Sequence, residues 1–178
     1  MSPTSPTRVL IAGIGNIFLG DDGFGSEVAR RLALEAWPAG VRVVDYGIRG
    51  FDLMYALLEP SELVIFIDAT ARGGAPGTLY NIEIDAAEFA YNDAAPVVLE
   101  GHTMNPENVL RAAAAMGARF ERLLLVACEP ADLGGDEGRM ELSPAVGAAV
   151  EEARRMVRRL VEEYMATTKP SREEVSHA

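Results

Sequence analysis

The chain has 178 residues, 49% of them hydrophobic and 24% charged, which is enough for one globular domain with a full core. A formal net charge of −11, from 27 acidic and 16 basic side chains, disfavours binding to nucleic acid or to an anionic membrane surface. The single cysteine, Cys128, excludes an internal disulfide and a four-thiolate zinc site. Because the chain shows neither a signal-peptide pattern nor an apolar run of membrane-spanning length, we expect a cytoplasmic protein.

The first half of the chain alternates predicted strands with predicted helices. Residues 1–7 are polar, contain two prolines and are expected to be flexible. Short apolar runs then predict buried strands, and the first two are each followed by a helical pattern. The strands are Val9–Ala12, Val41–Asp45 and Leu63–Asp68, and the helices end near Leu32 and at Leu58, before Pro60.

The second half begins with a loose alternation at Thr78–Ile84, which predicts an edge strand. The predicted elements that follow are a short helix at Ala86–Ala90, a helix at Pro106–Gly117 capped by Asn105, a buried strand at Arg122–Cys128 and a long helix at Pro144–Ala166. Charged side chains of the last helix, including Arg154 and Arg158, are expected to form a solvated face. Residues 167–178 are polar and are expected to form a disordered tail.

The order of these elements predicts an α/β fold. Most of the strands are too apolar to leave a face in water, which is typical of a parallel sheet covered on both sides. We therefore expect a three-layer sandwich, with helices on both faces of a twisted, mostly parallel five-stranded sheet. Residues 8–166 are expected to form this single domain.

A glycine-rich loop follows the first strand and would ordinarily suggest phosphate binding. Here it carries Asp21 and Asp22, whose carboxylates would repel a pyrophosphate. The nucleotide motifs also fail, because Phe18 stands where the dinucleotide motif needs glycine and no Walker lysine is present. Asp45 imitates a ribose-binding acid, but its position means little without the phosphate loop. The loop is better suited to a cation or a proton, unless one of its acids simply caps the following helix.

Three polar residues are predicted to meet at the carboxyl end of the sheet, where working groups of such folds gather. Asp22 follows the first strand, Asp68 ends the third, and His102 precedes the helix at Pro106. Two carboxylates and one imidazole suit a divalent metal, although stable catalytic zinc normally has two or three histidines. As alternatives, Asp68 could bond turn amides and His102 could be a surface histidine.

Other chemistries fit the same residues less well. A nucleophilic arrangement of Cys128, His102 and Asp68 is disfavoured, because a cysteine that ends an apolar strand is usually buried and inert. A phospho-acceptor receiver domain would need a lysine at the site, and the only lysine is Lys169 in the tail. The motifs HExxH and GxSxG are absent.

Several segments resemble the endopeptidases that mature NiFe hydrogenases. They are GIGNIFLGDDGFG at 13–25, the 47–50 turn after VVD, LVIFIDA at 63–69, GH at 101–102 and VACEP at 126–130. The resemblance covers about residues 8–165. It implies a hydrolase that removes a carboxy-terminal extension from the hydrogenase large-subunit precursor once nickel has been inserted.

The resemblance also implies roles for individual residues. Asp22 and Asp68 would be catalytic, and Asp22, Asp68 and His102 would contact the metal. The ion would be nickel supplied by the precursor, and another divalent metal could replace it in the isolated protein. Two alternatives stay open: a non-enzymatic metal-binding assembly factor, and a nickel-independent endopeptidase of similar fold. Without an unusually apolar exposed face, the chain is expected to be a monomer. The roles of Cys128 and Glu129 stay open.

Overall fold

A five-stranded sheet with helices on both faces makes up the part of the chain that the computed structural model describes, which is residues 6–89, 105–135 and 137–168. The strands are β1 Val9–Ile14, β2 Val41–Gly47, β3 Leu63–Ala69, β4 Leu79–Ile84 and β5 Arg122–Cys128. The helices are α1 Phe24–Leu32, α2 Gly50–Leu58, α3 Pro106–Ala115 and α4 Pro144–Thr167, with 3-10 turns at Gly20–Gly23 and Ala86–Phe89.

The strand order is β2-β1-β3-β5-β4. The pairs β1–β2, β1–β3 and β3–β5 are parallel, and only β4 runs antiparallel to its neighbour β5. The mostly parallel sheet and the edge position of β4 confirm the prediction. The register pairs Gly13 with Asp45 on one side and with Ile67 on the other, so the carboxyl ends of β1, β2 and β3 lie together.

Two cores, one on each face of the sheet, hold the three layers together. Every residue of β1 is buried, as are Leu63 to Ile67 of β3, which explains why these strands are continuously apolar. The core on the side of α1 and α4 joins residues of these helices and of the sheet, among them Ile11, Val28, Ile65, Val126 and Val157. The core on the side of α2 and α3 likewise joins helix and strand residues, among them Leu10, Leu53, Phe66, Leu110 and Leu123.

The helix termini follow the sequence with small differences. Asn105 caps α3 as predicted, because its side chain accepts a hydrogen bond from the Glu107 amide at 2.9 Å. The helix α4 ends at Thr167, and Thr168 accepts two hydrogen bonds from the Arg8 guanidinium at 2.9 Å. The last helix therefore ends one residue later than predicted. Within the described ranges, no helix combines the length and the apolarity needed to span a bilayer.

Candidate active site

The loop between β1 and α1 is held tightly against the carboxyl ends of the strands. A Cβ atom at Gly25 would overlap the carbonyl oxygens of Ile14 and Ile67, so only glycine lets α1 start this close to the sheet. Gly15 has a φ of +127°, and a Cβ there would overlap the carbonyl of Asp22. The two glycines thus place the turn Gly20–Gly23, which carries both loop acids, directly above the sheet edge.

Asp22 is half-buried on this turn. The amide of Asn16 donates to its Oδ2 at 2.7 Å, and no other donor reaches this carboxylate within the described ranges. Burial raises the pKa of Asp22 above its ordinary value, although the Asn16 bond acts in the opposite direction. Asn16 also shapes the loop, because its Oδ1 accepts from the Phe18 amide at 2.9 Å.

Asp68 is the penultimate residue of β3 and lies at the same edge. Its pKa is raised well above the ordinary value, first by burial and then by the negative charge of Asp22, against a hydrogen bond from the Ala69 amide. The 3-10 turn Gly20–Gly23, which carries Asp22, contacts β3, the strand that carries Asp68. The structure therefore brings together two of the three residues that the sequence predicts at the site.

The third predicted residue, His102, lies outside the described residues. Among the residues that are described, no group of three or more histidine, cysteine, aspartate or glutamate side chains could hold a metal ion. The pKa values of Asp22 and Asp68 are both raised, which means that the charged form of each carboxylate is disfavoured in the folded protein. The metal-contacting role of Asp22, Asp68 and His102 stays a prediction.

Asp21, next to Asp22 in sequence, has a structural role. Its side chain is fully buried, and its Oδ1 accepts from the Ser143 amide at 2.6 Å. Its Oδ2 accepts from the Ser143 hydroxyl at 2.8 Å and from the amides of Ala131 at 2.8 Å and Asp132 at 2.9 Å. Burial raises the pKa of Asp21, but these hydrogen bonds outweigh it and the net pKa is lowered.

The idea that one of the two acids caps a helix is wrong. Neither the 3-10 turn nor α1 has a side-chain hydrogen bond at its N-terminus. Asp21 instead joins the first loop to the segments that follow β5 and precede α4. Asp21 therefore fixes the loop, whereas Asp22 is half-buried and accepts a single hydrogen bond.

Two buried residues, Cys128 and Glu129, lie at the carboxyl end of β5. Cys128 is fully buried, and burial, followed by the charges of Asp21 and Glu129, raises its pKa to about 12. Glu129 accepts from the amides of Arg72 and Gly73 and from the Tyr80 hydroxyl at 3.0 Å. It thereby holds the loop that follows Asp68.

Known proteins are similar to this chain in sequence and in fold. The model of the hydrogenase maturation protease family (HycI) matches residues 26–160. The hydrogenase expression/formation protein HupD of Rhodobacter capsulatus is 36% identical over 152 residues, which cover 85% of this chain and 70% of HupD. HupD of Rhizobium leguminosarum bv. viciae is 35% identical over 167 residues, covering 89% and 78% of the two chains.

Solved structures of hydrogenase maturation peptidases have a similar fold. The hydrogenase maturating endopeptidase HybD from E. coli has a TM-score of 0.68 at 25% identity, with 89% of this chain and 94% of HybD covered. The hydrogenase 2 maturation peptidase of a Thaumarchaeota archaeon has a TM-score of 0.65 at 29% identity, with 88% and 99% covered. These matches confirm the family resemblance predicted from the segments around Asp22 and Asp68. The chain belongs to the hydrogenase maturation protease family.

Proposed function

We propose that this protein is the endopeptidase that removes the carboxy-terminal extension of a NiFe hydrogenase large-subunit precursor after nickel insertion. The observation that supports the proposal is the placement of Asp22 and Asp68, which lie on separate segments at the carboxyl end of the sheet, where the turn that carries Asp22 contacts β3. Membership of a maturation protease family supports hydrolysis as the chemistry. A chain whose only cysteine is a free, buried thiol suits the reducing cytoplasm.

In this proposal the nickel belongs to the substrate. Asp22 and Asp68, with His102 as the predicted third contact, would hold the ion while the precursor anchors it with its own ligands. Two carboxylates alone hold a free ion weakly, so recognition would depend on nickel already present in the client. When bound, a divalent ion polarises a nearby carbonyl group.

The chain itself would orient the acids and move the proton. The Asn16 amide fixes one oxygen of Asp22, which leaves the other free to face the substrate. A carboxylate at this site can accept a proton from the attacking water and return it to the leaving amine nitrogen. Glu129 restrains the loop after Asp68 and so limits the positions that the second acid can adopt.

Intact-mass spectrometry of the precursor tests the proposal. Purified protein is mixed with nickel-loaded precursor and, in parallel, with the same precursor prepared without nickel. We expect the nickel-loaded precursor alone to become shorter. Binding without any change of mass would instead identify an assembly factor, and cleavage of the nickel-free precursor would identify a nickel-independent endopeptidase.

A further inference from the structure

An arginine without an anionic partner lies at the carboxyl edge of the sheet, on the loop that joins β3 to β4. Arg72 is exposed, and its guanidinium lies over the ring of Tyr80, 5.5 Å from the ring centroid. In the part of the chain that the structure describes, this guanidinium forms no hydrogen bond and no salt bridge. By contrast, Arg139, whose segment pairs with the loop that carries Asp22, binds the carboxylate of Asp132 at 3.1 Å.

The loop holds Arg72 in one place. Glu129 is buried and accepts hydrogen bonds from the main-chain amides of Arg72 at 2.8 Å and Gly73 at 3.1 Å, and from the Tyr80 hydroxyl at 3.0 Å. Gly74 packs so closely on Tyr80 that an added Cβ would lie 2.1 Å from the hydroxyl oxygen. The main chain of Arg72 and the ring under its guanidinium thus belong to one hydrogen-bonded unit. An arginine held in this way loses little conformational freedom when it binds a ligand.

The strand register places this unit beside Asp68. Asp68 pairs with Ala127 of β5, and Ala127 pairs with Tyr80 of β4. Because paired residues of neighbouring strands point to the same face of a sheet, the side chains of Asp68 and Tyr80 lie on one face, with only the methyl group of Ala127 between them. Two strand spacings separate the backbones of Asp68 and Tyr80 by about 10 Å.

A peptide bound at the paired acids can reach this unit. The strand order puts β1, from which the turn with Asp22 emerges, on one side of β3, and puts β4 on the other. A peptide that crosses the sheet edge at Asp22 and Asp68 therefore continues over Tyr80. Since an extended peptide advances about 3.3 Å per residue, a residue within about four positions of the bond held at the two acids reaches Arg72.

We propose that Arg72 is a specificity-determining residue that binds a carboxylate of the precursor close to the cleaved bond. The planar guanidinium offers two parallel N–H donors, which match the two oxygens of a carboxylate. The protein has a net charge of −11, so its surface as a whole disfavours an acidic segment, and one fixed cation selects where such a residue binds. The carboxylate belongs to an aspartate or glutamate side chain or to the carboxy terminus of the extension. The inference rests on the proposed function, because it places the anion next to the bond that the protein cleaves.

The test exchanges charges between enzyme and substrate. Mass spectrometry of the natural product locates the cleaved bond, and the four residues on each side of it are replaced singly by Glu, Gln and Lys in the nickel-loaded precursor. A further precursor carries two extra glycines at its carboxy terminus, which move the terminal carboxylate about 7 Å further from the bond. Each precursor is mixed with the wild type, Arg72→Gln, Arg72→Glu and the control Arg119→Gln.

These substitutions leave the loop in place. Glu129 holds the main-chain amide at position 72, which Gln and Glu keep, and the side chain of Arg72 is exposed. Arg119 is a matched control because it is also exposed, but it lies between α3 and β5, at the amino end of the sheet.

We expect one position at which the wild type cleaves the Glu precursor at least about tenfold faster than the Gln precursor in kcat/KM, mainly through KM. Arg72→Gln should reduce this ratio to less than about twofold, and Arg119→Gln should leave it unchanged. Arg72→Glu should reverse the preference, so that the Lys precursor is cleaved fastest of the three, a result that a loss of structure does not produce. If the terminal carboxylate is the ligand, the wild type instead cleaves the glycine-extended precursor more slowly, and Arg72→Gln cleaves both lengths equally.

Equal cleavage of the Glu and Gln precursors at every position, together with equal cleavage of the two lengths, would overturn the role of Arg72 and leave the proposed function standing. A charge preference that persists in Arg72→Gln would overturn that role as well. If the wild type leaves even the natural nickel-loaded precursor uncut, both proposals fail.

Discussion

Two adjacent acids, Asp21 and Asp22, are expected to give opposite results when each is changed to asparagine. Asp21 is fully buried and accepts four hydrogen bonds, whereas Asp22 is half-buried and accepts one. Asp21→Asn should therefore lower the free energy of unfolding, and Asp22→Asn should remove activity and leave the fold intact.

The size of the first effect follows from the hydrogen bonds of Asp21. In the less costly orientation, the Asn oxygen keeps the three donors now on Oδ2, and its amide group faces the Ser143 N–H, which then has no acceptor. The three remaining bonds lose the contribution of a charged acceptor. One buried unpaired donor and three weakened bonds amount to about 3 kcal/mol. For a chain of this length, that loss lowers the melting temperature by about 6–12 °C.

Asp22→Asn should change the free energy of unfolding in the opposite direction. The raised pKa of Asp22 means that its anion is less favourable in the folded state than in the unfolded state, and its charge also disfavours the anion of Asp68. A neutral Asn removes both penalties and gives up one charge-assisted bond from Asn16. We expect a free energy of unfolding within about 1 kcal/mol of the wild type, on the stabilising side.

Chemical unfolding followed by circular dichroism, in the presence of a chelator, measures both variants. A stable Asp21→Asn together with a destabilised Asp22→Asn would refute the assignment of the two roles. The pH dependence provides a second check. Because the folded pKa of Asp21 is lowered, its contribution is present above the unfolded pKa of about 4 and is lost as the pH falls through the folded value. The deficit of Asp21→Asn should therefore shrink in that acidic range.

Further predictions concern the residues around the site. Cys128 should not react with iodoacetamide in the native protein at pH 8, because its thiol is buried with a pKa of about 12, and should react once the chain is unfolded. The pKa of Asp68, followed by carboxyl-carbon NMR, should fall in Asp22→Asn, because the neighbouring negative charge is gone; an unchanged value would contradict a shared site. Gly25→Ala should yield little folded protein, since a Cβ there overlaps two strand carbonyls, and a normal melting curve would contradict this packing. Glu129→Gln should speed hydrogen exchange at the amides of the loop after Asp68, whereas exchange at the wild-type rate would show that Glu129 does not hold that loop.

Much of the fold could be predicted because its signals are local. The continuous apolar run from Leu63 to Ile67 predicts a central strand without reference to any other segment, and the acid that follows it is then placed at the carboxyl edge by the parallel topology. The meeting of Asp22 and Asp68 follows from the same rule.

The roles that the sequence does not reveal depend on distant partners. The donors to Asp21 lie 110 to 122 residues away, so nothing in the local pattern separates it from Asp22. The last helix shows the same limit. Arg154 and Arg158, predicted to face solvent, both bind Glu35 beyond the end of α1, because α4 packs against α1.

The central claim is that Asp22 and Asp68 form one site that cleaves the nickel-loaded precursor. Its most direct test is the intact mass of that precursor after incubation with the wild type, Asp22→Asn or Asp68→Asn. The control is Asp85→Asn, a change at an exposed acid just after β4. We expect a shortened precursor with the wild type and the control, and a cleavage rate at least about 100-fold lower with either site variant. Cleavage at the wild-type rate by a folded Asp22→Asn or Asp68→Asn protein would contradict it.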